Sequence, residues 1–547
     1  MTGPPASVAE SSPLRQAGRG IGRAAALIGS ITVVARVVGF GRQLVFAHTV
    51  GSHCLGTAYT TANQVPNIIY DIVIGGALTG VIVPVLAGAA AHRSAYQPVV
   101  KSRADAARPG ADGAGPGADA EAAQIASALL TWAVALLVPA SLIIALIARP
   151  LASLLLAGVP HCSQAAAVSV SSRMLAIFAP QILLYGLAVV LYGILQAHRR
   201  FTAPALAPIV SSIVVIGAYL AFVPLAGGDR ALIGLPLPAE LVLSVGTTVG
   251  VAALMLTALG PALRLRLRLR PTLRFPDGVA RRVRALAVVG GAAFIAQDAS
   301  LVAVIVLANG HQGGGAVVLY NYGWQMFFVP YAVLAVPIAT SAFPLLSATD
   351  GEEFDRTAAS ATRAAMLVSW LGAALLAAAA WPAAQLFVAH PQQVHQLALT
   401  FTAFAPGLVG FGLAAALSRV LFASGRNRLA AVSLVGGWVV PVLGLGNTIG
   451  LTYAGIALLI AVRASRGEAA LRGSARAAGA GLAGALAGGA AGALLAARFH
   501  VSGFVPNAAV TLLVCACAAA VFGAAALALD GGDLRALAAR TTERWGR

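Results

Sequence analysis

The chain has 547 residues, of which 59% are hydrophobic and only 10% are charged, and its mean hydropathy is +0.86. A soluble globular protein needs far more polar surface, so this composition excludes that class and predicts a polytopic membrane protein. The apolar runs are about twenty residues long, which predicts membrane-spanning helices and not the shorter alternating strands of a membrane barrel.

Fourteen apolar segments are predicted to span the membrane, near residues 24–50, 56–90, 123–149, 166–196, 203–224, 237–260, 285–308, 315–345, 361–388, 397–423, 428–446, 448–462, 477–497 and 506–529. The first is too long for a signal peptide and lacks a small-residue cleavage site, so no cleaved leader is expected. With the amino terminus in the cytoplasm, 29 of the 36 lysines and arginines fall in segments that would face the cytoplasm. Short cytoplasmic loops collect these residues, which predicts an even number of spans and two cytoplasmic termini.

The net charge of +18 does not require a nucleic-acid partner. The densest basic run, ALRLRLRLRPTLRF at residues 262–275, lies between the sixth and seventh predicted spans. An RNA-binding patch is the alternative, but an orientation signal that also contacts anionic lipid headgroups is favoured. Residues 101–121 are rich in Gly, Ala and Pro, which predicts a disordered loop over about 101–122.

An internal repeat relates the fourth and tenth predicted spans. FAPQILLYGLAVVLYGILQA at residues 178–197 and FAPGLVGFGLAAALSRVLFA at residues 404–423 share nine identities without a gap. Composition alone would give roughly two or three. Six spans separate the copies, so both cross the membrane in the same direction, which predicts two pseudo-symmetric six-helix lobes followed by two carboxy-terminal helices.

The repeat divides the chain into predicted regions. These are a cytoplasmic tail (1–23), a first lobe (24–270), a second lobe (281–463), a helix pair (477–529) and a cytoplasmic tail (530–547). Prolines interrupt the second and eighth spans at Pro66 and Pro330, with Pro84 and Pro344 further along. Two lobes with broken helices are typical of an alternating-access transporter whose substrate lies between them.

Polar residues inside apolar spans predict a cavity, because a cation that faces lipid costs several kcal/mol. Arg36 lies near the middle of the first span and shares a helix face with Gly39 and Gln43, whereas Arg42 lies off that face unless the helix kinks at its glycines. The candidate substrate-binding residues are Arg36, Arg42, Gln43, Asn63, Asn67, Asp71 and Gln325, and the candidate hinge residues are Gly39, Pro66, Gly75, Gly76 and Pro330. Guanidinium groups in such a cavity favour an anion.

Several of these residues have alternative interpretations. Arg36 either forms a structural ion pair with Asp71 or contacts substrate. Arg42 either lines the cavity or extends toward the membrane interface. For Asn67, which follows Pro66, a structural role in satisfying freed carbonyl groups is favoured.

Four further residues outside this set carry predictions of their own. Asp298 is a candidate ion or proton site, although a hydrogen-bonded helix contact is slightly favoured. Arg419 is more readily an interfacial anchor than a ligand. Cys54 and Cys162 are both predicted near the outer face, where a disulfide is an open alternative. The sequence has no nucleotide-binding loop and no metal motif, so no cofactor is expected, and a coupling cation or the membrane potential would give transport its direction.

The sequence resembles the MurJ (MviN) type of lipid II flippases, and actinobacterial members in particular, within the multidrug/oligosaccharidyl-lipid/polysaccharide exporter superfamily. The resemblance rests on ITVVARVVGFGRQLVFAHTVG (31–51), TANQVPNIIYDIVIGGALTGVIVPVLAG (61–88), LQAHRRFTAPALAPI (195–209) and VPYAVLAVPIATSAFPLLS (329–347). It covers nearly the whole chain and implies a transporter of the bacterial plasma membrane, not an enzyme.

The resemblance also implies a substrate and partners. The substrate would be an undecaprenyl-pyrophosphate-linked peptidoglycan precursor, exported from the inner to the outer leaflet. The implied partners are anionic membrane lipids and cell-wall synthesis or division proteins. Arg36 and Arg42 match the two first-helix arginines on which the family depends, and residues 477–529 match its lipid-tail groove.

The sequence departs from the family at positions where charged residues are usual, namely Thr57, Tyr70, Gly75 and Gln325. The cavity is therefore expected to be less cationic than in other members. Two alternatives stay open. One is a multidrug or polysaccharide-lipid exporter of the same superfamily, which would favour cations if Asp71 and Asp298 dominate the cavity. The other is a transport-inactive scaffold that recruits cell-wall synthesis proteins.

Overall fold

The computed structural model describes residues 13–73, 116–198, 200–227, 231–265, 267, 269–275, 279–311, 315–442 and 446–545. Across these ranges the chain forms helices and no β-strand, which confirms the all-α prediction. Twelve helical segments of the described chain are long and apolar enough to cross a membrane. A shorter apolar helix, Asn427–Val442, lies at the predicted eleventh span. The second span begins as the helix Cys54–Val73, so the total of fourteen stays a prediction.

The described part of the first half of the chain forms eight α-helices. They are α1 (Pro13–Thr49), α2 (Cys54–Val73), α3 (Pro116–Leu146), α4 (Ala148–Leu155), α5 (Gln164–Phe178), α6 (Pro180–Ala197), α7 (Thr202–Leu225) and α8 (Leu237–Leu263). Helix α1 packs on α7, α7 packs on α8, and α6 lies against both α3 and α8. Helix α2 packs on α5, where the buried side chains include Met174 and Phe178.

The described part of the second half forms eleven α-helices. They are α9 (Val279–His311), α10 (Ala316–Pro330), α11 (Val336–Ala348), α12 (Gly351–Ala378), α13 (Ala380–Phe387), α14 (Pro391–Phe404), α15 (Gly407–Ala423), α16 (Asn427–Val442), α17 (Asn447–Arg466), α18 (Ser474–Ala496) and α19 (Phe504–Trp545). Helix α15 packs on α17, α17 on α16, and α16 on α9. The pair α18 and α19 packs on α12.

Prolines interrupt the long apolar segments at equivalent places in the two halves. In the first copy of the repeat α5 ends at Phe178 and α6 begins at Pro180, and in the second α14 ends at Phe404 and α15 begins after Pro406. Proline has no N–H to donate and clashes with the preceding turn, so the shared Phe-Ala-Pro breaks both copies. Helix α10 ends at Pro330, and a π-helical turn, Tyr331–Ala335, joins it to α11.

Helix α18 uses glycine to approach its neighbours closely. A Cβ atom at Gly481 would lie 2.3 Å from the Cδ1 atom of Trp370 on α12. A Cβ atom at Gly488 would lie 2.6 Å from the carbonyl oxygen of Ala518 on α19. Small residues drive helix association in membranes because they let backbones come together. The last two spans are therefore firmly packed on the second half of the chain.

Helices extend into three of the predicted segments. Helix α1 begins at Pro13, inside the predicted tail 1–23, and α19 continues to Trp545, inside the tail 530–547. Helix α3 begins at Pro116, inside the predicted disordered segment. Hydropathy marks only the part of a helix that lies in hydrocarbon, whereas Ala, Arg and Leu continue a helix beyond it. Gly75, Gly76 and the part of the predicted loop up to residue 115 lie outside the described residues.

Cys54 and Cys162 form a disulfide, with their Cα atoms 5.7 Å apart. It joins the first residue of α2 to the loop that precedes α5. This settles the alternative that the sequence left open.

Candidate functional site

A central cavity of about 510 Å³ lies between the two halves of the chain. Its lining comes from five helices of the first half and from α10: Thr32, Ala35, Arg36, Gly39, Phe40, Arg42, Asn67, Tyr70, Tyr185, Pro204, Ala205, Pro208, Ser211, Ser212, Leu254, Gln325, Phe328 and Val329. A smaller chamber of about 150 Å³ adjoins it. The two spaces share Arg42, Asn67, Tyr185, Ser211 and Gln325, so they form one continuous site.

The chamber is mainly polar and is lined mostly by the first half of the chain. Its other lining residues are Gln43, Phe46, Tyr59, Thr60, Asn63, Gln64, Val215, Tyr219, Thr247, Val251 and Asn321. The second half contributes Asn321 and Gln325 to this chamber. The structure therefore brings together Arg36, Arg42, Gln43, Asn63, Asn67 and Gln325 from the predicted set.

Helix α1 presents both arginines to the cavity without a break. It is a single helix from Pro13 to Thr49, so no kink is needed at Gly39. At 3.6 residues per turn, Arg42 lies about 120° around the helix from Arg36. The cavity surrounds enough of the helix to include both residues. Arg36 is exposed to it and Arg42 is half-buried between the cavity and the chamber.

The arginines have no carboxylate neighbour in this site. Neither lining includes an Asp or Glu among the residues that the structure describes. The ion pairs among the described residues join other side chains, so the alternative of a structural ion pair between Arg36 and Asp71 is wrong. Tyr70, the neighbour of Asp71 on α2, faces the cavity and packs on Tyr185 with ring centroids 4.4 Å apart. Asp71 is not among the residues of these two linings, so its place in the cavity stays a prediction.

Asn67 has both a structural and a cavity-lining position. Its Nδ2 atom donates to the carbonyl oxygen of Asn63, at 2.9 Å, one turn back along α2. The hydroxyl of Tyr185 donates to its Oδ1 atom at 3.1 Å. Pro66 has no N–H for the Ala62 carbonyl group, whereas the first bond goes to the next carbonyl group along, that of Asn63, so the role of Asn67 in satisfying freed carbonyl groups stays a prediction. The second bond fixes the amide against the cavity.

Three buried side chains beneath the arginines form a hydrogen-bonded row that sequence reasoning missed. The Tyr59 hydroxyl lies 2.9 Å from the Tyr219 hydroxyl and 2.7 Å from the Thr247 hydroxyl. Thr247 donates to the Leu243 carbonyl oxygen at 2.6 Å, so it accepts from Tyr59, and Tyr59 in turn accepts from Tyr219. The signal was the spacing of two polar residues along α7, where Ser211 and Tyr219 lie eight residues apart and share one face.

The opposite end of the space between the halves is closed by four hydrogen bonds that join neutral groups. The Ser52 hydroxyl donates to the Oε1 atom of Gln393 at 3.1 Å, and the Gly315 N–H donates to the Thr57 hydroxyl at 2.9 Å. The Nδ2 atom of Asn309 donates to Thr61 at 3.2 Å and to the Leu155 carbonyl oxygen at 2.8 Å. We call this set of contacts the closed end.

Gly315 has a special place in the closed end. Its φ of +104° lies in the region that favours glycine, and a Cβ atom would lie 2.1 Å from the Ser52 carbonyl oxygen. The backbones of the two halves therefore touch there.

Asp298 and Arg419 lie outside the two described linings. Asp298 on α9 is only 2% exposed, and neither of its carboxylate oxygens has a hydrogen-bond partner in the described part of the chain. The favoured interpretation as a hydrogen-bonded helix contact is therefore wrong. Arg419 donates to the carbonyl oxygen of Ala415 in its own helix at 2.5 Å.

Comparison with known proteins shows where this fold belongs. The family model of the lipid II flippase MurJ matches residues 46–471 of the chain. The chain belongs to the lipid II flippase MurJ family. This confirms the resemblance drawn from the sequence, and it makes the protein a multi-pass membrane transporter and not an enzyme.

Solved structures support the same fold at low sequence identity. The chain is similar to a lipid II flippase MurJ in an inward closed conformation, with a TM-score of 0.64 and 15% identity over 91% of this chain and 98% of that one. The chain is also similar to a multidrug resistance MATE family transporter of the MOP superfamily in an inward-facing conformation. The TM-score is 0.59 and the sequence identity 14%, over 81% of this chain and 98% of that one. For a Vibrio cholerae MATE transporter the TM-score is 0.53 and the sequence identity 16%, over 80% of this chain and 96% of that one.

Proposed function

We propose that this MurJ family member moves an undecaprenyl-pyrophosphate-linked peptidoglycan precursor from the inner to the outer leaflet of the bacterial plasma membrane. The observation that carries the proposal is the pair Arg36 and Arg42 in a central cavity whose described lining has no carboxylate. Guanidinium groups bind phosphate oxygens through paired hydrogen bonds, and a pyrophosphate offers enough oxygens for both. A cation left unpaired inside a membrane protein is most readily explained by an anionic ligand.

Alternating access would carry the headgroup across. We assign α1–α8 to one six-span lobe and α9–α17 to the other, because the cavity and the closed end both lie between these sets. With the amino terminus in the cytoplasm, the cavity opens toward the start of α1 and faces the cytoplasm. The lobes would then rock about Pro66, Pro330 and the Gly75-Gly76 pair, separate at the closed end and expose the arginines outward.

The polyprenyl tail would stay outside the cavity. A cavity of about 510 Å³ holds part of a sugar-peptide headgroup and has no room for a long polyprenyl chain as well. The helix pair α18 and α19 presents exposed leucines, such as Leu486 and Leu494, on the outside of the second lobe. Residues 477–529 would hold the tail there while the headgroup crosses.

Asp298 is proposed as the site through which a cation or a proton couples to transport. A carboxylate that is almost fully buried and lacks a hydrogen-bond donor needs a positive partner or a proton. Asp298→Asn should keep precursor binding and remove the dependence of flipping on the coupling ion. Precursor flipping into proteoliposomes, measured with and without ion gradients and membrane potential, checks this. Unchanged ion dependence would contradict the assignment.

Depletion of the native protein, followed by rescue with variants, tests the function as a whole. Arg36→Ala and Arg42→Ala should fail to restore growth, with precursor accumulating in the inner leaflet. Arg426→Ala, which removes an exposed arginine from the loop before α16, is the matched control and should restore growth. Full rescue by both cavity variants would favour a scaffold. Unchanged precursor levels with altered drug efflux would favour an exporter.

A further inference from the structure

The described part of the basic run after α8 is fixed along α3 by hydrogen bonds. We call these residues, 264–265, 267 and 269–275, the Arg/Leu segment. Its Arg270 and Thr272 N–H groups donate to the hydroxyls of Ser127 and Thr131, each at 3.1 Å. The Nε1 atom of Trp132 donates to the Leu273 carbonyl oxygen, also at 3.1 Å. Alternate backbone groups therefore pair with side chains one helical turn apart.

An apolar cavity of about 220 Å³ lies beneath this segment and is separate from the arginine-lined cavity. Its lining comes from α3, α6, α8 and the Arg/Leu segment: Leu130, Leu187, Leu191, Ile194, Met255, Leu259, Ala262, Leu263, Leu267 and Leu269. Leu263 and Leu269 are 66% and 43% exposed, so they lie at its edge. Every residue in this lining is aliphatic.

The Arg/Leu segment places charge next to this apolar cavity. Leu267 and Leu269 of the segment both line the cavity, and the Leu269 N–H donates to the Leu267 carbonyl oxygen at 2.9 Å. Arg264, Arg270 and Arg274 are exposed, and none of them forms an ion pair within the described residues. The site therefore combines an apolar space for a hydrocarbon chain with exposed guanidinium groups at its edge.

The apolar cavity matches the acyl chain of a phospholipid, and the arginines match its phosphate. A hydrocarbon chain gains little by leaving the equally apolar bilayer, so the cavity alone cannot bind a lipid tightly. The affinity has to come from the arginines, which interact most strongly with a headgroup whose phosphate charge is not cancelled by choline. We propose that the Arg/Leu segment and the cavity beneath it bind one anionic phospholipid, with an acyl chain in the cavity and its phosphate on the arginines. This site is independent of the proposed flipping of a cell-wall precursor.

Trp132 provides a local reporter for this site, because it is 38% exposed and contacts the segment directly. The full-length protein is placed in phosphatidylcholine bilayers, and its fluorescence is quenched by phosphatidylglycerol or phosphatidylcholine with brominated chains. The Trp132→Phe variant gives the signal of the other tryptophans, which is subtracted. Phosphatidylglycerol should be preferred by about fivefold for each arginine that contacts it, and the preference should fall as salt is raised.

Two pairs of substitutions remove the same charge from different places. Arg270→Gln with Arg274→Gln should lower the preference for phosphatidylglycerol by about fivefold or more. Arg426→Gln with Arg428→Gln, two exposed arginines at the start of α16, should leave it unchanged. Equal effects of both pairs, or no effect of the first, would overturn the proposal. Equal quenching by both lipids in the wild-type protein would do the same, because it would mean bulk lipid only.

The position of the acyl chain has its own test. Ala262→Phe adds bulk to the cavity while keeping all the arginines. It should remove the saturable part of the quenching by brominated phosphatidylglycerol. Its helix content by circular dichroism and its Tm in detergent should match the wild type. Unchanged quenching by a folded variant would overturn the assignment of the chain to this cavity.

Discussion

The closed end and the central cavity lie between the same two halves of the chain, yet they differ in chemistry. Four hydrogen bonds between neutral groups cross the closed end. In the cavity two arginines face an uncharged described lining. A neutral hydrogen bond contributes about 1 kcal/mol net, so a few of them can break in a conformational change. The charge in the cavity has no internal partner and is left for a ligand.

The largest expected effect comes from Gly315→Ala. The new Cβ atom would overlap the Ser52 carbonyl oxygen in a backbone conformation that costs a non-glycine residue about 1–3 kcal/mol before any clash. The closed end should separate. Spin labels at the exposed residues His53 and Gln392, with the free cysteines replaced, should report a longer distance than in the unsubstituted protein.

Gly425→Ala is the matched control for this substitution. Gly425 also has a positive φ, of +73°, but nothing lies within 4 Å of its Cβ position. It should leave the label distance unchanged. An equal distance change in both variants would show that strain, and not the contact with Ser52, opens the closed end.

Removing the disulfide beside the closed end should have the next largest effect. The bond closes a separation of 108 residues, and loss of such a link typically costs about 2–5 kcal/mol of unfolding free energy. Replacing both Cys54 and Cys162 with Ser should lower Tm in detergent. Replacing Cys515 and Cys517, which are free, should not. Equal Tm values for the two double variants would argue against a structural role for the disulfide.

Thr57→Val removes the acceptor of the Gly315 N–H while keeping the side-chain shape. A buried donor left without a partner costs about 1–3 kcal/mol, so the closed state should lose population at least about fivefold. Thr402→Val removes a hydroxyl that bonds only within its own helix, to Ala398, and serves as the control. Accessibility of a cysteine at position 53 to a membrane-impermeant thiol reagent, with the free cysteines replaced, measures the shift.

Ser52→Ala should give the smallest change. Its partner Gln393 is partly exposed and can bond to water instead, so the loss should be about 0.5–1.5 kcal/mol or less. The rate at which the thiol reagent labels a cysteine at position 53 should rise less in Ser52→Ala than in Thr57→Val. Ser424→Ala, which removes a bond to Leu421 of the preceding helix, provides its control. A rise larger than that of Thr57→Val would reverse the order of contacts proposed for the closed end.

Much of the fold was predictable because its signals are local. Apolar runs and arginines mark the spans, and the shared Phe-Ala-Pro marks the break in both repeat copies. The arginines of α1 were predictable for the same reason, since a cation inside an apolar helix stands out on its own.

Contacts between distant helices were not predictable in this way. Tyr59 meets Tyr219 and Thr247 across separations of 160 and 188 residues, and tyrosine in an apolar helix is as readily a core residue as a cavity residue. The packing of Tyr70 on Tyr185 was not predictable either, because it depends on how two distant helices face each other.

The measurement that tests the central claim most directly is the affinity of the purified protein for an undecaprenyl-pyrophosphate-linked precursor. A charge-assisted hydrogen bond contributes about 1.5–3 kcal/mol, so Arg42→Gln should raise Kd about 10- to 100-fold, and Arg42→Lys should lie between it and the wild type. Arg426→Gln should bind like the wild type. An unchanged Kd in a folded Arg42→Gln variant would contradict the claim that the cavity arginines hold the pyrophosphate.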